Sequence, residues 1–177
     1  MLNPPLMPSP GIEGGGRAKT FYDSSPSRII EALENSLRRL RIDSIPLYYI
    51  HWPDPNTPFS DTAESLIRCQ ESGKVQNIGV SNFSLSQIKD IGQQLKITTA
   101  QVQYSLIKRS VEDDFLSGCK KLGINIITYG PLAQGVLTGK YKEDTKFSND
   151  DCRARSHHFH GDDFKKHMHI LDKMSEI

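Results

Sequence analysis

The chain has 177 residues, and its 22 Lys and Arg against 21 Asp and Glu give a formal net charge of +1. This length supports one domain with a hydrophobic core, but a complete eight-unit α/β barrel typically needs roughly 250 residues. The balanced charge gives no reason to expect nucleic acid as a partner. No apolar run approaches the roughly 20 residues that span a bilayer, and the start of the chain lacks a signal-peptide pattern, so we expect a cytoplasmic location without membrane partners.

The cysteines and histidines do not predict a metal site. Cys69, Cys119 and Cys152 are widely separated and form no CxxC pair, so we expect reduced thiols. Five of the six histidines lie beyond residue 150. The cluster over 157–160 lacks the spaced pairing that zinc ligands show.

The first predicted helix follows an irregular lead-in. Residues 1–25 are rich in proline and glycine and show no helical or strand period, which predicts a loop or disordered segment. Ser25 followed by Pro26 is typical of a helix start. An apolar stripe then predicts an amphipathic helix over 26–41. Its members are Ile29, Ile30, Leu33, Leu37 and Leu40.

A buried strand is predicted over 45–50, because its apolar run is followed by prolines that cannot continue a sheet ladder. Pro46 lacks an N–H, so the strand could instead begin at Leu47. His51 directly follows this strand, at the carboxyl end where α/β proteins place their chemistry. A lone histidine in such a place is more often structural, and only the later strand ends favour a functional interpretation.

The next segments repeat the same pattern. Ser60 or Asp61 is the expected cap of a helix that ends at Gly73, and a strand over 74–80 then leads to Ser81 and Asn82.

Two further strands follow. Ser84 caps a helix, and a strand over 98–104 carries Gln101 and Gln103. A helix over 111–122 leads to a strand over 124–129, which Gly130 and Pro131 break. Residues 142–163 are polar and loop-like, and a helical pattern resumes over 164–177.

Strand centres recur about every 25 to 30 residues, and one helix fills each gap, which is the spacing of consecutive βα units. We therefore predict an α/β fold with about four parallel strands joined by right-handed crossovers.

The four strand ends meet at one edge of such a sheet. His51 can orient a carbonyl, Asn82 and Gln101 can hold a carboxamide through paired donors and acceptors, and Tyr129 offers a flat face to an aromatic ring. The turn over 130–135 lets backbone N–H groups approach a phosphate, although it lacks the G-x-G-x-x-G pattern.

Each of these features also has a purely structural interpretation. Ser81 and Asn82 could be a turn or helix-capping pair, and Gln101 a satisfied core amide. Gly130 and Gly135 could be ordinary loop glycines.

Taken together, the chain resembles the aldo-keto reductases. Four ordered stretches carry the resemblance: 36–40 with 47–54, 73–75 with 78–83, 101–104, and 129–141. It runs from about Ser25 to the end and implies that residues 26–177 form a partial (β/α)8 TIM barrel. This part matches the central to C-terminal portion of the family's barrel, so both ends look truncated.

The resemblance also implies an NADP(H)-dependent hydride transfer to or from an aldehyde or ketone, without a metal. Of the family's catalytic Asp, Tyr, Lys and His, only the His maps here, onto His51. Ser81, Asn82 and Gln101 would hold the nicotinamide carboxamide, and Tyr129 would stack on the ring. A second group would lie along the phosphates: Gly130, Pro131, Leu132, Ala133, Gln134, Gly135, Lys140 and Arg153.

Several departures from the family limit this expectation. No strand fixes Tyr22 and Lys19, so neither is assigned as the missing acid or its partner. Pro46 stands where the family usually has Asp. The family's catalytic Asp, Tyr and Lys come from strands and loops before the first helix recognised here, so we expect this chain to be inactive by itself. The alternative is a catalytically dead, barrel-derived interaction module that self-associates through its open sheet edges.

Overall fold

A computed structural model describes residues 22–176 of the chain. The helices and strands occur in the order α1 (Pro26–Leu40), β1 (Ile45–Ile50), α2 (Phe59–Glu71), β2 (Val75–Ser81), α3 (Leu85–Ile91), β3 (Ile97–Gln103), α4 (Phe115–Lys121), β4 (Asn125–Tyr129) and α5 (Gly161–Met174). Three short 3₁₀ helices lie between β4 and α5, at Ala133–Thr138, Cys152–Arg155 and His157–Phe159.

The four strands form one sheet in the order β1-β2-β3-β4. The β1–β2 and β2–β3 pairs are parallel, with Ile45 opposite Val75 and Ser81 opposite Gln101. Each strand therefore lies beside its neighbour in sequence, as in the wall of an α/β barrel, and the order does not reverse as in a doubly wound sheet. The predicted succession of parallel βα units is confirmed.

The described residues divide into two compact units. The first comprises residues 22–102 with Glu112–Ile127, and the second comprises Gln103–Val111 with residues 128–176. No helix among the described residues is long and apolar enough to cross a membrane.

Helix α1 begins where the sequence predicted, with Pro26 in its first turn. It ends at Leu40 because Arg41 adopts a left-handed conformation and donates its backbone N–H to the Leu37 carbonyl. The buried stripe is narrower than predicted: Ile29, Leu33 and Leu37 are buried, whereas Ile30 is 47% exposed.

Strand β1 includes Pro46, and the alternative start at Leu47 is wrong. The Ile45 N–H donates to the Lys74 carbonyl at 2.8 Å, and Ile45 and Leu47 both pair with β2. Between these two pairs, the nitrogen of Pro46 points away from β2, so its missing N–H costs no bond in this ladder. The Pro46 carbonyl also accepts a 3.0 Å hydrogen bond from the Asn77 side chain.

Two helices start at other residues than expected. Helix α2 begins at Phe59, after Pro58, so neither Ser60 nor Asp61 is its cap. Both residues lie in the first turn of the helix, where the negative charge of Asp61 interacts favourably with the helix dipole. Helix α4 begins only at Phe115, four residues later than predicted. Helix α3 has the predicted cap, because the Ser84 and Gln87 side chains bond reciprocally to each other's backbone N–H groups.

The second unit has its own apolar cluster. Its buried members are Ala133, Val136, Leu137, Tyr141, Phe159 and Phe164. The prediction of a loop over 142–163 is therefore incomplete: two of the 3₁₀ helices fall there, and they bring the buried Phe159 against Tyr141 with ring centroids 5.1 Å apart. Helix α5 begins at Gly161, three residues before the predicted start.

Candidate functional site

His51 lies directly after β1 and is half-buried beside the only tryptophan of the chain. The ring centroids of His51 and Trp52 are 6.2 Å apart, with the planes tilted by 52°. Tyr22 stacks on Trp52 at 5.5 Å and 28°, and both rings remain 37% exposed. One exposed aromatic ring, that of Trp52, therefore lies next to the imidazole, and Tyr22 stacks on it.

Asp54 fixes the turn that follows this histidine. Its side chain is buried and accepts hydrogen bonds from the Ser24 N–H at 3.0 Å, the Asn56 N–H at 2.9 Å and the Thr57 hydroxyl at 2.6 Å. Burial alone would raise the pKa of this carboxyl, but these three donors and the Asn56 side chain outweigh it and hold the pKa below its usual value. The carboxylate thus joins the chain before α1 to the turn after β1.

Asn82 connects the ends of the first three strands. Its amide group donates to the His51 carbonyl at 3.0 Å and to the Ser81 hydroxyl at 3.1 Å. Its backbone N–H donates to the Gln101 carbonyl at 3.2 Å. The residue has φ of 61°, a left-handed conformation that Asn adopts more readily than most residues. The structural alternative of a simple helix cap is wrong for Asn82, because Ser84 caps α3.

Ser81 and Gln101 face each other across β2 and β3. Ser81 is fully buried, and its hydroxyl lies 3.5 Å from the Gln101 side-chain oxygen, which makes a weak hydrogen bond. Four predicted site residues of the first unit, His51, Ser81, Asn82 and Gln101, are therefore brought together at one edge of the sheet.

The remaining predicted residues belong to the second unit. Tyr129 is half-buried, burial raises the pKa of its phenol, and its carbonyl accepts the Tyr104 N–H at 3.3 Å. Gly130 follows with φ of 65°. In this conformation a Cβ would strain the backbone, and glycine is the residue that fits.

The turn after β4 is built from internal hydrogen bonds. The Ala133 N–H donates to the Gly130 carbonyl at 2.9 Å, and the Gly135 N–H donates to the Leu132 carbonyl at 2.8 Å. The side chain of Ala133 is buried in the apolar cluster. Pro131, Leu132 and Gln134 are exposed. These three residues form the solvent-facing surface of the turn.

Lys140 and Arg153 both lie against Tyr141. The Lys140 ammonium is 4.9 Å from the ring centroid, and the Arg153 guanidinium donates to the Tyr141 hydroxyl. Arg153 also pairs with Asp151 through bonds of 2.5 to 3.0 Å. Hydrogen bonds from Arg153 lower the pKa of Asp151 to about 2, and the same pair raises the pKa of Arg153. Any anion that binds Arg153 must therefore compete with the Asp151 carboxylate.

The sequence reasoning missed two contacts of this site. Asp54 was part of the quoted motif but received no role, although aspartate between two prolines is typical of a turn in which the carboxylate accepts nearby backbone N–H groups. The stacking of Tyr22 on Trp52 left no sequence signal, because 29 intervening residues contain a whole helix and strand.

Within the described part of the chain, no group of three or more His, Cys, Asp and Glu side chains could hold a metal ion. The C-terminal histidines make other contacts: His157 pairs with Asp163 at 2.9 Å, and the His167 ring bonds to the His158 carbonyl. All three cysteines are free, with Cys69 and Cys119 buried and Cys152 exposed.

Parallel βα units with amide, hydroxyl and imidazole groups at the carboxyl ends of their strands define an α/β barrel wall with a ligand site in the usual place. Residues 16–177 match the model of the Aldo/keto reductase family. The chain belongs to this family, and its four strands are consecutive βα units of a (β/α)8 barrel.

Individual relatives agree with this assignment. Aldo-keto reductase YhdN of Bacillus subtilis is 37% identical over 157 residues, which are 89% of this chain and 47% of that protein. Aldo-keto reductase yakc of Schizosaccharomyces pombe, whose name specifies NADP(+), is 32% identical over 88% of this chain and 46% of its own length. The chain thus spans about half the length of these relatives.

Solved structures give the same result. The glycerol dehydrogenase AKR11B4 from Gluconobacter oxydans has a TM-score of 0.84 and 38% identity, and the match covers 89% of this chain and 48% of that one. An aldo-keto reductase from Klebsiella pneumoniae in complex with NADPH has a TM-score of 0.60 and 31% identity, over 63% of this chain and 40% of that one.

Proposed function

We propose that this chain binds NADP(H) and supplies the carbonyl-orienting histidine of an NADP(H)-dependent oxidoreductase acting on an aldehyde or ketone. The main observation behind this proposal is a hydrogen-bond network in which Asn82 donates to His51, Ser81 and Gln101. This network fixes the ends of three strands relative to one another. The family's relatives support the cofactor, since one is named for NADP(+) and another was solved with NADPH.

The side chains at this edge fit a carboxamide. The Asn82 amide group is held by its bonds to the His51 carbonyl and the Ser81 hydroxyl, so this side chain has a fixed position at the edge where a ligand carboxamide would lie. Gln101 and Ser81 add amide and hydroxyl groups beside it. The cofactor, when bound, supplies the nicotinamide ring that gives or takes the hydride.

His51 serves to orient and polarise the substrate carbonyl by donating a hydrogen bond to its oxygen. The exposed rings of Trp52 and Tyr22 form the adjoining apolar surface. A catalytic cycle also needs a general acid, and the family resemblance assigns that role to no residue of this sequence. The expected behaviour of the 177-residue chain is therefore cofactor binding without turnover.

From the family resemblance alone, we propose phosphate contacts for residues of the second unit. The exposed Lys140 ammonium and the Arg153 guanidinium supply positive charge, and the turn over 130–135 supplies backbone groups. Because Asp151 already pairs with Arg153, we assign the stronger phosphate contact to Lys140.

The single tryptophan allows a direct test. Trp52 emission overlaps NADPH absorption, so energy transfer from Trp52 reports binding beside His51. Saturable quenching with sensitised NADPH emission is the expected result. Gln101→Ala should weaken binding roughly tenfold, because a ligand amide loses its partner. Gln93→Ala, an exposed glutamine in the loop after α3, is the matched control.

Turnover is measured separately, as loss of NADPH absorbance with a panel of aldehydes and ketones. Absence of saturable NADPH binding by the folded wild-type chain would contradict the proposal. Binding with turnover that His51→Gln abolishes would instead show that this chain holds a complete catalytic group, against the expectation of inactivity.

Self-association through sheet edges remains a prediction with little structural support. Pro46 directs its ring nitrogen away from β2, toward the side on which another strand would have to pair with β1, and proline offers no donor there. A concentration-independent monomer in size-exclusion chromatography with light scattering would contradict edge pairing.

A further inference from the structure

One row of side chains crosses three strands directly below the Ser81–Gln101 pair. Tyr49 of β1 is opposite Gly79 of β2, and Gly79 is opposite Thr99 of β3. The Thr99 hydroxyl donates a 2.8 Å hydrogen bond to the Tyr49 hydroxyl, so the phenol ring lies across the glycine between them. A Cβ on Gly79 would come within 2.5 Å of the Tyr49 ring and would also meet Thr99. The residue at position 79 must therefore be glycine for this bridge to form.

An irregularity in the β2–β3 pairing creates this row. Ile78 is opposite Ile97, but Gly79 is opposite Thr99, so Thr98 is an extra residue in β3. The Thr98 hydroxyl bonds to the Ile78 carbonyl at 2.9 Å and occupies the bulge. Bulges of this kind re-aim the side chains that follow them.

The bulge determines which residue faces Ser81. If regular pairing continued from Ile78 and Ile97, Ala100 would be opposite Ser81, and the side chain of Gln101 would point to the other face of the sheet. In the observed register Gln101 is opposite Ser81. The carboxamide-binding arrangement thus depends on a one-residue shift in β3.

We propose that Tyr49 and Thr99 are positioning residues, whose hydrogen bond across Gly79 holds β3 in the bulged register that directs Gln101 toward Ser81. This inference rests on the proposed function, because it gives the bridge its purpose in holding the nicotinamide carboxamide. Tyr49 links β1 to β3 over the intervening strand, so it opposes the slip of β3 that would remove the bulge.

The neighbouring tyrosine supplies a matched control. Tyr48 lies on the same strand, and alternation places it on the opposite face of the sheet. Its hydroxyl is buried without a hydrogen-bond partner among the described residues, and burial, with a smaller effect of Cys69, raises its pKa to about 12. Tyr48→Phe and Tyr49→Phe remove the same atom from adjacent residues, but only the second breaks the bridge.

The first experiment compares NADPH with 2′-phospho-ADP-ribose, which lacks the nicotinamide. Tyr49→Phe should weaken NADPH binding roughly fivefold and leave 2′-phospho-ADP-ribose binding unchanged. Thr99→Val removes the other half of the bridge and should have the same effect. The double variant should be no worse than either single one, because both remove one interaction. Tyr48→Phe should bind both ligands like the wild type.

A second readout needs no cofactor. Exchange of the Asn82 amide hydrogen, measured by NMR, reports its bond to the Gln101 carbonyl just above the bulge. Tyr49→Phe should accelerate this exchange roughly fivefold, while exchange of the Ile45 amide, at the amino end of the sheet, remains unchanged. Tyr48→Phe should accelerate neither.

These two experiments distinguish a failure of the proposed NADPH binding from a failure of the proposed role of Tyr49 and Thr99. If the wild-type chain binds no NADPH but Tyr49→Phe loosens the Asn82 amide selectively, the proposed function fails and the register-holding bridge stands. If NADPH binds but Tyr49→Phe weakens both ligands equally, or accelerates exchange uniformly, the hydroxyl acts only on general stability and the inference is overturned.

Discussion

Replacing Asp54 with Asn tests how firmly the turn beside His51 is held. One carboxylate oxygen accepts the Asn56 N–H, and the other accepts the Ser24 N–H and the Thr57 hydroxyl. An asparagine keeps the size of the side chain but has one acceptor oxygen instead of two. In either orientation of the amide, its NH₂ group must face a backbone N–H that previously had an acceptor.

The magnitude follows from these contacts. Thr57 can rotate its hydroxyl to accept from the new NH₂, but the Ser24 or Asn56 N–H loses its partner. The loss of a hydrogen bond to a charged acceptor costs about 2 to 3 kcal/mol. For a chain of this size, a loss of that magnitude lowers Tm by about 4 to 12 °C.

Thermal and urea unfolding followed by Trp52 fluorescence measure this effect, because the only tryptophan lies two residues from Asp54. Asp90→Asn is the matched control: it makes the same change of charge at an exposed position near the end of α3. We expect Asp90→Asn to shift stability by less than about 0.5 kcal/mol.

The pH dependence gives a second check with a defined sign. The pKa of Asp54 is lowered in the folded chain, so the unfolded chain binds the proton more readily. The carboxylate therefore contributes its full stability above the unfolded pKa of about 4, and this contribution disappears as pH falls through the folded pKa. The stability difference between wild type and Asp54→Asn should be constant above about pH 5 and shrink below about pH 4. A difference under about 0.5 kcal/mol at pH 7, or one that grows in acid, would refute the reasoning.

Two further predictions concern packing and histidine titration. Gly79→Ala should destabilise the first unit by about 3 kcal/mol, because its Cβ would overlap the Tyr49 ring and Thr99. Gly123→Ala meets no atom within 4 Å and should cost only about 1 to 2 kcal/mol of backbone strain, so equal urea midpoints would count against the overlap. Burial, and then the positive charges of His157 and His167, lower the pKa of His158. The free energy of unfolding of the second unit should therefore decrease as pH falls below about 6.5, because the unfolded chain binds the proton more readily. Faster amide exchange in α5 at low pH would report this loss. His158→Gln should remove the pH dependence, and the exposed His169→Gln should retain it.

Much of the sheet could be predicted from the sequence because local chemistry and tertiary structure agree there. The Ser84 cap and the apolar runs of β1 and β2 each determine an element within one or two residues. The start of α2 could not be predicted from Ser60 and Asp61, because both are good caps in isolation, yet the helix begins earlier, at Phe59, and both residues lie in its first turn. The shorter α4 is a similar case, since a helical pattern over 111–122 does not show which end is unwound.

The second unit was the least predictable part. Phe164 begins the predicted helical pattern, but Phe159 stands alone among polar and charged residues. The cluster that buries Phe159 also contains Tyr141 and Val136, more than 15 residues away, so its burial follows from tertiary packing and not from local periodicity. Secondary structure that such packing induces, here two 3₁₀ helices, leaves little trace in the sequence.

The bulge in β3 shows that the motif position of a residue and the face of the strand that it occupies are separate questions. Gln101 was assigned from its place in a motif, without knowledge of which face of β3 it occupies. A regular β2–β3 ladder would have turned Gln101 away from Ser81, because a shift of one residue reverses the faces of a strand. Only the pairing of Gly79 with Thr99 places Gln101 on the same face of the sheet as Ser81. In the proposed site, the Tyr49–Thr99 bridge therefore matters as much as the residues at the strand ends.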